Sequence, residues 1–151
     1  MKISGKYSLD DITPERAYSL LQDPDVLAKC MPGCDEMVKT GDDEYQIKMK
    51  LLIASLSGKF DGKVKLTDPN PPSSFRMRVD GNGKIGWMKG EGAINLTPDG
   101  AGTNLAYDGE VQLGGTIAAV GQRLVDTTSR MMLKRFFDKL QEIAKAPPPA
   151  A

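Results

Sequence analysis

Histidine is absent from all 151 residues. That removes the usual general base near neutral pH, the commonest zinc and iron ligand, and the Ser-His and Cys-His nucleophile pairs. Metal-centred chemistry is therefore not expected. Cysteine occurs only as Cys30 and Cys34, within Cys30-Met31-Pro32-Gly33-Cys34, which is not a Cys-x-x-Cys redox motif and lacks two further ligands for zinc. Two ordinary thiols beside a turn are the first reading, and a disulfide across the short loop is the alternative. No run of 18 apolar residues exists, and the chain opens on strand-like Lys2-Ile3-Ser4-Gly5-Lys6-Tyr7 rather than on a charge followed by an apolar stretch, so a soluble, cytoplasmic protein is expected. Net charge is missing too. Lys plus Arg number 20 and Asp plus Glu number 20, so no overall field draws the chain to nucleic acid, and an electrostatic partner has to find a local patch. Nor is there a phosphate loop: Gly81-Asn82-Gly83 runs on into Lys84, and Gly90-Glu91-Gly92 lies inside a strand pattern. The carboxylate pairs Asp10-Asp11, Asp35-Glu36 and Asp42-Asp43 fall at turns or element starts, where they read as caps rather than acid-base dyads.

What is present is patterned for one α+β domain, since the length suits a single core and 40% of the residues are hydrophobic. A first strand, Lys2 to Leu9, puts Ile3, Tyr7 and Leu9 on one face. Thr13 and Pro14 then start a helix as N-cap and first helical residue, and a second short helix spans Pro24 to Cys30. Six further strands are expected at Asp35 to Thr40, Glu44 to Ser55, Ser57 to Thr67, Ser74 to Asn82, Gly86 to Thr97 and Thr103 to Leu113. Between them stand residues that set turn dihedrals, such as Gly41-Asp42-Asp43, Asp68-Pro69-Asn70-Pro71-Pro72 and Pro98-Asp99-Gly100. Alternation assigns Tyr45, Ile47, Met49, Leu51 and Ile53, then Phe60, Val64 and Leu66, then Phe75, Met77 and Val79, then Leu105, Tyr107, Val111 and Leu113 to the inner face. From Gly114 to Lys145 there is no proline, and Ile117, Val120, Leu124, Thr128 and Met131 recur at spacings of three and four. One long helix that buries this stripe against the sheet is expected. Residues 146–151, Ala-Pro-Pro-Pro-Ala-Ala, cannot continue it and read as the start of a linker.

Strand, two helices, six strands and a long helix make the helix-grip, START-like order, a seven-stranded antiparallel sheet wrapped around the C-terminal helix. Within that order, Met1-Lys2-Ile3-Ser4-Gly5, Asp23-Pro24-Asp25-Val26-Leu27, Cys30-Met31-Pro32-Gly33-Cys34, Gly58-Lys59-Phe60-Asp61-Gly62-Lys63-Val64, Leu113-Gly114-Gly115 and Gly115-Thr116-Ile117-Ala118-Ala119-Val120-Gly121 occur in register. With these motifs the chain, from Met1 to Lys145, resembles the CoxG family of carbon monoxide dehydrogenase proteins. The resemblance implies a non-catalytic accessory protein that links a molybdenum carbon monoxide dehydrogenase to the inner face of the cell membrane. It also suggests an apolar cavity holding a lipid, with an isoprenoid quinone, menaquinone, inferred from the need for an electron carrier. Members of the family often continue past a Pro and Ala-rich linker into an apolar or amphipathic membrane segment, whereas this sequence stops at Ala151; a truncated chain would explain the difference, and a natural end here would instead imply a soluble shuttle. Two rival readings stand beside this one: an assembly chaperone binding only protein, and a cyclase or hydrolase using the same cavity, as related helix-grip domains do.

Methionine fills irregular gaps and tolerates varied ligand shapes, so Met31, Met37, Met49, Met77, Met88, Met131 and Met132, expected on the inward side, suit either a plain core or a pocket. Given the resemblance, the expected lining is Met31, Met49, Ile53, Phe60, Met77, Met88, Tyr107, Val111, Ile117, Val120, Gly121, Leu124, Thr128 and Met131. Tyr107, Thr128 or a rim arginine is left to hydrogen-bond the quinone carbonyls. Gly121 costs about 1 kcal/mol relative to alanine in a helix interior, so close approach of sheet or ligand is expected there. Trp87 has the parity opposite to Ile94 and Leu96, which allows a rim position from which indole docks on a partner or on lipid headgroups. The outward parity of three adjoining strands carries Lys48, Lys50, Lys59, Lys63, Lys65, Arg76 and Arg78, with Asp61 the one acidic interruption. That reads as a solvated face or a docking patch for anionic lipid or an acidic enzyme surface, with Lys48, Lys50, Lys63 and Arg76 as the docking candidates.

Overall fold

The computed structural model describes residues 1–53 and 56–145, apart from the side chain of Ile53. The linker, the end of the third expected strand and the candidate lining side chain of Ile53 lie outside the described residues.

The local signals translate directly into elements. Strand β1 (Lys2–Leu9) is followed by α1 (Pro14–Leu21), whose N-cap Thr13 accepts a hydrogen bond from the Arg16 amide at 3.2 Å. Helix α2 (Pro24–Cys30) begins the same way, with the Asp23 carboxylate accepting from the Asp25 amide at 3.0 Å. Then come β2 (Cys34–Gly41), β3 (Glu44–Ile53), β4 (Leu56–Asn70), β5 (Ser74–Gly83), β6 (Gly86–Asp99) and β7 (Gly102–Gly114). The sheet is antiparallel throughout, in the order β1-β7-β6-β5-β4-β3-β2. It is a meander of hairpins with the first strand returned to the edge of the last.

The long helix is shorter than the periodicity predicts. Thr116–Val120 forms a 3-10 turn, and α3 spans Gln122–Lys145. Between them Gly121 has φ +96°, a backbone conformation L side chains rarely adopt. The glycine expected inside a helix is instead the break that ends one element and starts the next. A Cβ built at Gly121 meets nothing within 4 Å, so the residue is there for its dihedral and not for close approach of the sheet.

The phase of the helix also differs. Val125, Phe136, Phe137 and Leu140 are buried, and Met132 and Leu133 pack beside them. Leu124 and Met131, expected to face the sheet, are each 46% exposed on the other side. The interruption of helical geometry at Gly121 resets the phase, so a stripe begun at Ile117 cannot be carried through it.

Two apolar clusters result. The larger joins Leu9, Ile12, Tyr18, Leu21, Tyr45, Phe75, Leu96, Leu105, Phe136 and Leu140 near α1 and α2. The smaller joins Leu51, Phe60 and Ile117, with Met49, Ile85, Leu113, Val120 and Met132 packed against it. It lies where α3 begins.

Candidate functional site

The inner face of the sheet is unevenly furnished, and the register shows where side chains are missing. One row runs Ile3, Gly109, Gly92, Met77, and the next runs Val111, Gly90, Val79. The row after that runs Leu113, Met88, Gly81, Gly62. Five glycines thus form a belt across the inner face, between the residues of the two clusters, with the Ile47 side chain packed over Gly62 and those of Met88 and Phe60 over Gly81. The Gly92 and Gly109 pair has a structural cause: a Cβ on either would lie 2.6 Å from the partner strand's carbonyl oxygen, so only glycine permits β6 and β7 to approach this closely. At Gly90 the built Cβ meets its nearest atom at 3.6 Å, an ordinary contact. Its missing side chain leaves space instead.

On α3, Val125, Ser129, Met132 and Leu133 share a face by their spacing of three and four, with Met132 packed on the smaller cluster and Leu133 on the larger. Ser129 and Thr128 are both half-buried. Of the expected lining, Phe60 and Ile117 are buried in the smaller cluster with Met49 and Val120 against them, while Met31, Met49 and Met77 pack on the larger one. Met88 and Val111 are half-buried along the belt. Leu124, Met131 and Gly121 are not brought to the floor. Met132 is among the methionines expected to face inward and packs on the smaller cluster, whereas Val125, Ser129 and Leu133 escape the sequence reading; the signal that finds them is Phe136, Phe137 and Leu140, since a helical phase read backwards from those residues selects their face.

Tyr107 is committed to packing as much as to polarity. Its ring lies 5.6 Å from that of Phe137, which also meets Tyr7 at 5.4 Å, and its hydroxyl covers Gly5 on the edge strand. Along the same seam Tyr7 donates to the Asp138 carboxylate, and Lys134 donates to that carboxylate at 2.8 Å. Burial first, and then the Asp138 hydrogen bond, push the Tyr7 hydroxyl up to about 12. Arg130 bridges Asp126 at 3.0 Å and donates to the Ser4 carbonyl at 3.3 Å, and Gln141 exchanges two hydrogen bonds with the Asp10 backbone. These contacts latch one edge of α3 to β1.

Two surface clefts lie elsewhere. One of about 450 Å³ is lined by Ser8, Asp10, Asp11, Asp99, Gly102 and Lys145, and one of about 320 Å³ by Thr67, Asp68, Arg76, Arg78 and Glu91 among others. Neither opens onto the glycine belt. Both cysteines are free, Cys30 buried and Cys34 half-buried, so the loop carries thiols rather than a disulfide. Burial pushes the Cys30 thiol up to about 11 and raises that of Cys34. No group of three or more potential metal ligands occurs among the described residues.

The outward cations are exposed as expected, but the patch is not a single field. Tertiary pairing supplies acids that a strand-by-strand reading overlooks. Lys65 lies 3.6 Å from Glu44, Arg78 lies 3.6 Å from Glu91, Lys63 pairs in register with Asp80, and Lys48 stands between Glu36 and Asp61. Lys50 and Lys59 are the exception, directly opposite one another in the β3–β4 register. Trp87 is 39% exposed on this outer side, seated on Gly114 with the Lys89 ammonium 6.0 Å from its ring centre.

The CoxG family model, for a carbon monoxide dehydrogenase subunit, matches residues 10–145. The chain belongs to the CoxG family. Among solved structures it is 34% identical to a conserved protein from Geobacillus kaustophilus, with 95% of each chain covered and a TM-score of 0.91. A START superfamily protein from Mycobacterium smegmatis is similar in fold at 16% identity, covering 95% of this chain and 97% of its own, with a TM-score of 0.70. The di-domain ARO/CYC protein BexL matches 98% of this chain with 51% of its own at 12% identity, with a TM-score of 0.66. The fold is therefore START-like and helix-grip. No protein of curated function matches the sequence. Family and fold together suggest a ligand-binding accessory role associated with carbon monoxide dehydrogenase. Among the described residues no helix is long and apolar enough to cross a membrane.

Proposed function

We propose that this CoxG-family protein is a non-catalytic carrier that holds an isoprenoid quinone, preferably menaquinone, between α3 and the sheet, and so couples the dehydrogenase to the membrane quinone pool. The observation that carries this reading is the row of glycines, Gly109, Gly92, Gly90, Gly81 and Gly62, on the inner face of the sheet between two apolar clusters. Such a floor, rimmed by the adaptable side chains of Met49, Met77, Met88 and Met132, suits a long, flexible, apolar tail. Ser129, Thr128 and the Tyr107 hydroxyl are the groups that would orient a carbonyl head. A quinone, when bound, supplies the two-electron acceptor chemistry. The chain's own residues bind it, exclude water and set its depth.

In this reading the dehydrogenase delivers electrons to the held quinone, and the Pro and Ala-rich segment beginning at residue 146 keeps the domain near the bilayer. Lys48, Lys63 and Arg76 remain docking candidates for the enzyme; Lys48 and Lys63 face acids across the sheet, whereas Arg76 lies between Thr67 and Ala93 in register. The test is organic extraction of the purified protein followed by mass spectrometry. A stoichiometric isoprenoid quinone is expected, and it should fall away in a Gly90→Leu variant, where the added side chain has room to enter the belt. Repeated absence of any lipid from protein that still binds the dehydrogenase would replace the carrier with an assembly chaperone.

A further inference from the structure

The formal charge of zero conceals a separation along the strands. All connections at one end of the sheet, namely the turns after β2, β4 and β6 and the start of α1, carry acids: Asp10, Asp11, Asp42, Asp43, Asp68 and Asp99. The opposite end comprises the β3–β4 and β5–β6 hairpins and the passage from β7 into α3. Its described segments, residues 51–53, 56–60, 81–90 and 111–125, contain no carboxylate, while Lys59, Lys84, Lys89 and Arg123 fall within them; Lys50 stands just outside, as do Asp61, Asp80, Glu91, Glu110 and Asp126. The molecule therefore has an acidic pole and a basic one.

The basic pole is also where apolar surface is exposed. Leu52 stands 67% exposed on β3, beyond Lys50 on the same face. Trp87 is exposed on β6, Leu124 at the start of α3, and Ala118 and Ala119 on the 3-10 turn. Here too lies the directly opposed Lys50 and Lys59 pair, which makes no salt bridge among the described residues. Like charges across a strand pair are destabilising, and although Asp61 stands on the next same-face pair, opposite Lys48, an anion from outside would relieve the repulsion between Lys50 and Lys59. Lysines flanking an exposed leucine and an indole form the combination that suits an anionic bilayer surface. The ammonium groups reach headgroup phosphates, the indole takes the interface, and the aliphatic side chain enters the acyl boundary.

We infer that this pole, with Lys50, Lys59, Lys84, Leu52 and Trp87 as its contacts, is a docking surface for anionic phospholipid that sets the domain end-on to the membrane. The inference rests on the membrane-linked reading above and gives it a surface on the folded domain itself. End-on docking brings the smaller cluster, Leu51, Phe60 and Ile117, to the bilayer, and only these side chains and their neighbours separate the acyl boundary from the glycine belt. The acidic pole then points away from the negative leaflet, which adds to the orientation.

Trp87 is the only tryptophan, so its fluorescence reports on this surface without labelling. The full chain is titrated with vesicles of phosphatidylcholine alone and with vesicles containing about 30% phosphatidylglycerol. A blue shift and protection from iodide are expected only with the anionic vesicles, weakening as salt rises. Combined Lys50→Glu and Lys59→Glu reversal should reduce the binding about tenfold or more, whereas Lys63→Glu should leave it near wild type. Lys59→Glu alone gives an opposed charge pair with Lys50 and serves as a variant that folds while lowering affinity. Equal binding to neutral vesicles, or anionic binding untouched by the double reversal, would overturn the proposal. So would unchanged vesicle binding accompanied by loss of the dehydrogenase, which would make the pole a protein interface. Loss of extractable quinone with vesicle binding intact would count against the carrier reading and leave this surface standing.

Discussion

The two ends of the molecule are built from the same strands yet serve opposite demands. At the acidic end, α1, α2 and the second half of α3 close over Leu9, Ile12, Leu105 and Leu140, and Thr103 donates a buried hydrogen bond of 2.6 Å to the Ile12 carbonyl. Gln141 and Asp10 tie the helix to the edge strand there. At the basic end three buried residues anchor the cluster, two glycines with positive φ (Gly115 at +77° and Gly121 at +96°) flank the 3-10 turn, and large apolar side chains reach solvent. One end thus holds most of the buried core, and the other is closed by fewer buried side chains. With fewer buried contacts to break, the basic end should open first.

A pair of truncations should separate the two ends most clearly. Leu140→Ala removes a fully buried side chain and should cost about 2–5 kcal/mol in urea unfolding, whereas Met132→Ala, half-buried in the smaller cluster, should cost clearly less and reduce retention of extracted lipid instead. Equal losses of stability would erase the distinction. A middle-sized effect is expected at the joint: Gly121→Ala has open space for its methyl group but must adopt a left-handed backbone, at about 1–3 kcal/mol, and should raise hydrogen exchange through residues 116–125. An unchanged melting curve and exchange pattern would show that the 3-10 turn relaxes freely. The smallest effect is chemical. Alkylation at pH 8 should modify Cys34 and spare Cys30, whose buried thiol is held up at about 11 from an ordinary 9.0. Because the folded state favours the neutral thiol, its contribution to stability is present below pH 9 and fades as pH climbs through 11. Equal labelling of the two thiols in native protein would mean that α2 does not close this end.

Much of this architecture is legible before any coordinates. Thr13-Pro14 and Asp23-Pro24 start their helices at those residues because capping is local, and β1 and β3 to β7 follow the alternation to within a few residues because one face is buried. The failures share one cause. Leu124 and Met131 point inward only if a helical period is carried through Gly121, where a positive φ interrupts it; and the cations look unopposed only until Glu44, Asp80 and Glu91 reach them from other positions in the sheet. The first four members of the expected inner set on β3, Tyr45, Ile47, Met49 and Leu51, do face inward.

Family, order of elements and the apolar face of each strand all follow from the sequence alone, since they depend on periodicity, caps and turn residues within reach of one another along the chain. The absence of imidazole chemistry follows from it too. Tertiary structure was needed to line up five glycines from three hairpins on one face, to bury Val125 and half-bury Met132 rather than Leu124 and Met131, and to separate charge into two poles. Those properties belong to the register between distant strands and the angle at which α3 leaves Gly121, and neither is written in any contiguous run of residues.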